Sequence, residues 1–373
     1  MAGAGGAVSQ RLELHWRPLA CSLPAPLRTA AGTLAERRGW LLRLETADGA
    51  VGWGEATPLA TGAGGEALLE RCGAAVQSLN GEATRPELER GLPLLPPPVA
   101  FAVGAALAEA EGLVGEGAGG WRAAPPSAWL LPAGAEGLAG AGERRAAAGN
   151  TAPGFGGGRA GGLATVPFTV KWKVGVHDEE AELAWLEQLL ERLPADARLR
   201  LDANGGWGRA TAGRWAERLA GEPRLEWLEQ PLDPADQEGL EALAERLPVA
   251  LDESLLLRPA LRERWRGWQV RRPSQEGDPR PLLRALAAGQ PRWMVSTSFE
   301  TGLGQRWLAH LAALQAAGPT PVAPGLAPGW RLPGGLGSGD PQEVWRAAGA
   351  ATAREGGERR GDRKDTAPAP ERT

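Results

Sequence analysis

Over the last two-thirds of the chain, short apolar runs alternate with longer stretches in which apolar residues recur every three or four positions. The runs are 128–131, 169–174, 198–202, 225–229, 249–252, 268–272, 292–298 and 321–325. Each is too short for a helix and has the composition of a buried strand. Helical spacing marks 179–193, 210–219 and 238–246 between them. Eight strands with helices in most of the gaps predict an α/β fold, a (β/α)7–8 TIM-like barrel. The N-terminal part reads differently. Alternation at 11–17, 39–46 and 51–55, with Ala47-Asp48-Gly49 as a turn, predicts antiparallel strands. Helical spacing at 66–79 and 98–112 follows, so an α+β capping domain is expected ahead of the barrel.

The domain boundaries expected from this pattern are a flexible N-terminus at 1–10, a capping domain at 11–120, a barrel at 121–335 and a C-terminal segment at 336–373. Gly and Ala dominate 133–164, predicting a flexible insertion after the first barrel strand. From about residue 350 the chain is dense in Arg, Gly, Asp and Pro, the composition of a disordered tail.

Composition narrows the function classes. A net charge of −4 offers no basic surface, so neither nucleic acid nor an anionic membrane is an expected partner. Cys21 and Cys72 make no disulfide framework, and a reducing cytoplasm is the expected compartment. The first sixteen residues lack an apolar core of signal-peptide length, and no run of about 18 apolar residues occurs. The expected ligand is a small molecule; nothing in the pattern sets an oligomeric state.

A bias in residue usage points to the chemistry. The chain has no Ile and no Tyr, and its lysines are Lys171, Lys173 and Lys364. Two of the three therefore stand two positions apart in one strand, where alternate residues share a face. Lys171 and Lys173 face inward, with Trp172 toward the helices. Mutual repulsion and partial burial are expected to lower their pKa values toward the range of a useful base. The structural alternative is a pair of surface lysines on an edge strand.

Carboxylates end the next three strands: Asp202, Glu229 and Asp252. Taken singly, the aspartates could cap helices and Glu229 could sit in a loop before Gln230-Pro231. Taken together, their spacing is one strand-helix unit each, which puts four ionisable groups at the C-terminal mouth of a barrel, where barrel active sites form. Three converging carboxylates need a cation, and an all-oxygen donor set selects a hard ion, Mg²⁺.

The segments Thr169-Val170-Lys171-Trp172-Lys173, Leu201-Asp202-Ala203-Asn204, Leu228-Glu229-Gln230-Pro231 and Leu251-Asp252-Glu253-Ser254 resemble the signature of the enolase superfamily, muconate-lactonizing-type subgroup. Gly52-Trp53-Gly54-Glu55-Ala56, and Ser296-Thr297-Ser298-Phe299-Glu300 followed by Gly302-Leu303-Gly304, are similar to its capping domain and seventh barrel strand. The likeness runs from about 11 to about 335. It implies a Mg²⁺-dependent carbon–oxygen lyase acting on a carboxylate. Lys173 would be the acid/base, Lys171 its electrostatic neighbour, and Asp202, Glu229 and Asp252 the metal ligands. Ser296, Thr297 and Ser298 would contact substrate, and the site would lie between the barrel mouth and capping loops near 28–38.

One position departs from that pattern. Most relatives carry a second lysine on the sixth strand, whereas Val270-Arg271-Arg272-Pro273 places Arg272 there. Arg cannot lose its proton at working pH. Arg272 is therefore expected to stabilise charge or stack on a substrate ring, which fits one-base elimination better than two-base racemisation. A cycloisomerase, a dipeptide epimerase or a non-catalytic homologue remains the alternative.

Overall fold

The computed structural model describes residues 11–29, 32–138, 166–327 and 329–350. Four strands form an antiparallel sheet in the order β3-β2-β1-β4: β1 (Arg11–Thr29), β2 (Gly32–Thr46), β3 (Val51–Ala56) and β4 (Gly81–Thr84). Three helices accompany it, α1 (Gly62–Ser78), α2 (Arg85–Gly91) and α3 (Pro97–Ala110). β1 and β2 run well beyond 11–17 and 39–46. Pro18, Pro24 and Pro26 break the sequence alternation, yet Leu19 to Ser22 stay in register with Gly39 to Glu36, and Leu27 pairs with Leu34 after a bulge. β4 and α2 carried too few apolar residues to be read from the sequence.

α3 is buried from Pro98 to Ala108 because it has neighbours on opposite sides. One side lies on β3. A Cβ on Gly52 would meet Ala106 O at 1.8 Å, and one on Gly54 would meet Ala102 O at 2.1 Å. Only glycine lets the strand and helix backbones approach so closely. The other side carries Phe101 into a cluster with Leu286, Val295 and Trp307 of the barrel. α3 is thus the shared wall of the two layers.

The second sheet is parallel, with its strands side by side in chain order. It comprises β5 (Trp129–Leu131), β6 (Thr169–Lys173), β7 (Arg198–Asp202), β8 (Leu225–Glu229), β9 (Val249–Leu251), β10 (Trp268–Arg271) and β11 (Trp293–Val295). Between and after the strands lie α4 (Glu179–Arg192), α5 (Arg209–Leu219), α6 (Gln237–Ala244), α7 (Glu253–Leu257), α8 (Leu261–Arg264), α9 (Pro279–Ala287) and α10 (Gly302–Ala316). The eighth run, 321–325, is not a regular strand; it makes one isolated bridge, Ser296 with Gly325. Pro321 and Pro324 have no N–H to give a ladder. The run still links the two edges of the sheet. Gly325 N donates to Val295 O, and Thr297 N donates to Gly325 O. On the other side Ala128 N donates to Pro324 O at 3.0 Å. The result is a barrel of seven strands and one irregular stave.

Its core has two parts. Outward-facing strand residues such as Val170, Trp172, Leu199 and Leu201 pack under Leu186, Leu189 and Trp215 of the helices. Trp172 is fully buried there, and truncating it to Ala should cost about 3–5 kcal/mol. Inside the barrel, Trp227, Ala250, Val270, Met294 and Val322 form a plug. Arg200 lies 4.1 Å over the Trp227 ring and donates to Ala323 O at 2.7 Å. Below the carboxylates, then, the barrel interior is filled.

Ala133 to Leu138, the start of the expected insertion, is ordered, with Leu138 in the core and its carbonyl accepting from Arg192. The rest of that insertion, the N-terminal ten residues and the tail beyond 350 lie outside the described residues. A last helix, α11 (341–350), packs Val344 and Ala348 against Leu19, Leu41 and Trp53 of the capping sheet. Among the described residues no helix is long and apolar enough to cross a membrane.

Candidate active site

Strand pairing brings the candidate residues to one end of the barrel. Lys173 pairs with Asp202, and Asp202 with Glu229. Since Val170, Trp172 and Val174 face the helices, Lys171 and Lys173 face the barrel interior, as the period of two requires. Asp252 follows the last residue of β9, and Arg272 the last residue of β10. All three carboxylates are buried, at 6%, 0% and 2% exposure for Asp202, Glu229 and Asp252.

The two lysines differ. Lys171 Nζ lies 2.8 Å from Asp202 Oδ2 and 2.6 Å from Glu229 Oε1. Burial would lower its pKa, but Asp202, Glu229 and Asp252 together outweigh burial and raise it. This overturns the expectation that the pair lowers the pKa of Lys171; the nearby carboxylates outweigh one neighbouring ammonium. The Lys173 side chain makes no hydrogen bond or ion pair among the described residues. Of the two, Lys173 is the one that no carboxylate holds.

Arg272 is held by its own partners. Its guanidinium is engaged by Asp252, Nε lying 2.7 Å from Oδ1 and Nη2 2.5 Å from Oδ2. Nη1 donates to Thr297 O. A planar fork on a carboxylate is the geometry that favours arginine over lysine. These bonds use the edge of the guanidinium and fix its position. The side chain joins the ends of β9, β10 and β11.

The carboxylates are divided between these two cations. Among the described residues, the one group of three His, Cys, Asp or Glu side chains with ligand atoms all within 4.8 Å is Glu13, His15 and Glu45, on the capping sheet, where Glu45 is already paired with Arg43. Asp202, Glu229 and Asp252 stand somewhat wider, since Lys171 sits between the first two and Arg272 takes both oxygens of the third. Their chemistry nonetheless suits a hard cation. The donors are all oxygen, and Glu229 is raised in pKa by burial above all, with Asp202 and Asp252 adding to it against the pull of Lys171. Glu253 is half-buried beside them, with its Oε2 enclosed and unpartnered. Burial, then Asp252 and Asp202, push that carboxyl up to about 8. Excess negative charge held in a dry pocket is what Mg²⁺ would relieve.

Several bracing residues had no role assigned from the sequence. Gln230 is fully buried; its Oε1 accepts from Asp252 N and Ser254 N, and its Nε2 donates to Ser254 Oγ at 2.8 Å. It fixes the end of β9 against β8. Asn204 N donates to Asp202 Oδ1 at 3.0 Å, and Asn204 Nδ2 donates to Glu253 Oε1 at 3.1 Å. Glu182 of α4 accepts from the backbone N–H groups of Gly175, Val176 and His177, fixing the loop after Lys173. Each is a polar residue at or one loop beyond a strand end. That position is the signal that could have revealed them. Asn204, Gln230 and Phe299 also hold φ values of 45°, 38° and 63°. Such left-handed backbone at non-glycine residues costs about 1–3 kcal/mol each and collects at functional strand ends.

Ser296, Thr297 and Ser298 follow β11 and are almost wholly enclosed. Ser296 Oγ donates to Gly325 O at 3.3 Å, and Thr297 Oγ1 donates to Glu300 Oε2 at 2.5 Å. Ser298 N donates to both Glu300 oxygens, while Ser298 Oγ has no partner.

Residues 167–264 match the family model described as enolase C-terminal domain-like. The o-succinylbenzoate synthase of Thermosynechococcus vestitus is 35% identical over 312 residues, covering 80% of this chain and 88% of that one. The crystal structure of o-succinylbenzoate synthase from Thermosynechococcus elongatus, complexed with Mg in the active site, superposes with a TM-score of 0.70 at 30% identity, covering 90% of this chain and 99% of that one. Muconate lactonizing enzyme from Pseudomonas fluorescens has the same fold, with a TM-score of 0.62 at 21% identity over 82% of this chain and 85% of that one. A capping sheet on a parallel barrel, a lysine pair and three carboxylates at its mouth, and relatives that span nearly the whole chain lead to one assignment: the protein belongs to the o-succinylbenzoate synthase family of the enolase superfamily.

Proposed function

We propose that this chain is a Mg²⁺-dependent dehydratase that converts 2-succinyl-6-hydroxy-2,4-cyclohexadiene-1-carboxylate to 2-succinylbenzoate, a step of menaquinone and phylloquinone biosynthesis. One observation carries the reading. At the mouth of the barrel, Lys171 is locked between Asp202 and Glu229, while Lys173, on the same face and opposite Asp202, is not. Lys173 is then the base, with Lys171 its electrostatic neighbour.

Asp202, Glu229 and Asp252 would hold the metal. When bound, Mg²⁺ supplies Lewis-acid stabilisation of the negative charge that proton removal puts on the substrate carboxylate. Lys173, as a neutral amine, takes the proton from the ring carbon bearing that carboxylate. The C–H electron pair becomes the new ring double bond, the C–O bond of the neighbouring hydroxyl breaks, and the proton on Lys173 goes to the departing oxygen as water. The ring becomes aromatic and Lys173 is neutral again, so one base on one face suffices. Arg272 cannot act as a second base, and its fork on Asp252 keeps it a charged brace. Ser296, Thr297 and Ser298, at the end of β11, are proposed to contact substrate. The reaction needs only a small-molecule partner, and two buried, unpaired cysteines suit a reducing cytoplasm.

The test is turnover of the cyclohexadiene precursor, followed by the absorbance of the aromatic product, with Mg²⁺ and after chelation. Metal-dependent product formation is expected. A folded protein that binds Mg²⁺ but leaves the precursor unchanged overturns the assignment.

A further inference from the structure

A buried polar cluster joins the capping sheet to the side of the barrel mouth opposite the lysines. Glu300 is fully buried. Its carboxylate accepts from Ser274 Oγ and Thr297 Oγ1 at 2.5 Å each, and from Ser298 N at 2.9 and 3.0 Å. Ser274 stands two residues after Arg272, and Thr297 and Ser298 belong to the segment after β11. Glu300 therefore ties the ends of the sixth and seventh barrel strands together. Beside it lies Glu55 of β3, also fully buried. Glu55 accepts from the backbone N–H of Thr301 and of Gly304, each at 3.0 Å, and from the Thr301 hydroxyl. A carboxylate of the capping sheet thus caps the N-terminus of α10, a place where the helix dipole favours negative charge. A Cβ on Gly304 would sit 2.6 Å from Glu300 Cβ and 3.1 Å from Glu55 Cδ, so that glycine makes room for both acids.

Arg37 of β2 is 1% exposed and donates to Thr57 O and Pro58 O at 2.7 and 2.9 Å, with both glutamates as its charge partners. Gln275 completes the seam, donating to Thr57 O and accepting from Leu59 N. Two buried carboxylates beside one guanidinium are costly to hold unless every lone pair has a donor. Here the donors to Glu300 come from the strand ends that carry Arg272 and the 296–298 segment, and those to Glu55 from Thr57 and the start of α10. The cluster makes no direct hydrogen bond to Asp202, Glu229 or Asp252; it reaches Asp252 only through Arg272, which donates to Thr297 O, while Gln230 holds the Asp252 backbone separately.

We propose that Glu300, backed by Glu55 and Arg37, is a positioning residue that sets the Arg272 and 296–298 wall of the site against the capping sheet, and so governs substrate affinity rather than metal binding. The proposal rests on the reading of 296–298 as a substrate-facing segment. Glu300→Gln is nearly isosteric but replaces an acceptor oxygen with a donor amide facing hydroxyl and N–H donors. It is expected to raise KM about tenfold, with kcat within about threefold and the Mg²⁺ Kd within about twofold of wild type. Amide exchange at Ser298 should quicken in the same variant. If Glu300→Gln does not fold, Ser274→Ala removes a single donor and should raise KM about threefold. A folded variant with unchanged KM, or one that loses Mg²⁺ affinity in step with KM, overturns the proposal. If the wild-type protein does not turn over the precursor, the assigned reaction fails instead. Exchange at Ser298 then decides the clamp alone, and an unchanged rate in Glu300→Gln rejects it.

Discussion

Arg272 and Asp252 form a two-point ion pair, with Nε 2.7 Å from Oδ1 and Nη2 2.5 Å from Oδ2. The guanidinium competes with a metal ion for the charge of a proposed ligand. Arg272→Ala is therefore expected to tighten Mg²⁺ binding, by about tenfold or more for a charge removed near contact distance in a partly screened pocket, while lowering turnover. Arg272→Lys keeps the charge and should leave Mg²⁺ affinity within about threefold and retain part of the activity. Titration calorimetry on both variants checks this. Weaker Mg²⁺ binding in Arg272→Ala would show that the arginine holds Asp252 in place for the metal rather than competing with it.

The contact of β3 with α3 gives a stability prediction. Gly52→Ala would drive a methyl to 1.8 Å from Ala106 O, and both partners are backbone inside a packed wall. The layers must separate, at a cost of about 3 kcal/mol or more. Chemical denaturation should show a fall of that size, and a loss under about 1 kcal/mol would mean that α3 can slide without penalty.

The chemistry-bearing strands were legible because their apolar runs are short and each ends in a charged residue. Lys173, Asp202, Glu229 and Asp252 could be placed by strand period and spacing alone. What was not legible is long-range. Glu55 caps a helix that begins some 246 residues later, and no local pattern in Gly52-Trp53-Gly54-Glu55 announces that. The same holds for Arg272, whose partner Asp252 depends on the lateral packing of β9 and β10. Proline also misled in two ways. It masked the extension of β1 to Thr29, where the hairpin pairs regardless, and it left 321–325 a stave instead of a strand. The charge state of Lys171 was misjudged because repulsion between neighbours in one strand was visible in the sequence, whereas attraction from carboxylates on the next two strands, β7 and β8, was not.

His310 sets a pH dependence of stability. Burial, with the charge of Arg122 adding to it, lowers its pKa from 6.5 to about 4, and its Nδ1 accepts from Arg122 N at 3.3 Å. The unfolded chain binds this proton below about pH 6.5, and the folded protein only near pH 4. The contribution to stability is therefore fully present above pH 6.5 and is lost as pH falls toward 4, reaching about 3 kcal/mol. His310→Asn keeps an acceptor but does not titrate. Unfolding free energies of the two proteins should run parallel above pH 7 and draw together between 6.5 and 4. Parallel curves throughout would mean that His310 is protonated in the fold as easily as in the unfolded chain.

Lys173 and Lys171 make the sharpest comparison, since they share a strand, a face and a side-chain type. Lys173 has no carboxylate partner among the described residues, whereas Lys171 bridges Asp202 and Glu229. Removing Lys173 should leave the metal ligands undisturbed, so Lys173→Ala is expected to bind Mg²⁺ within about threefold of wild type. It should lose about 10² to 10⁴ in kcat, or more where water cannot reach the α-proton. Lys173→Arg tests why. It keeps the cation but cannot become a neutral base, so it should be as inactive as the alanine variant. Lys171→Ala acts differently. It leaves Asp202 and Glu229 without their cation and should shift Mg²⁺ affinity, which Lys173→Ala should not. An α-proton exchange assay in deuterated water, run on both enantiomers of an amino-acid derivative, completes the set. A single base on one face of the substrate predicts that at most one enantiomer exchanges. Exchange of both would require a second base, which Arg272 cannot provide, and activity surviving in Lys173→Ala would move the base elsewhere.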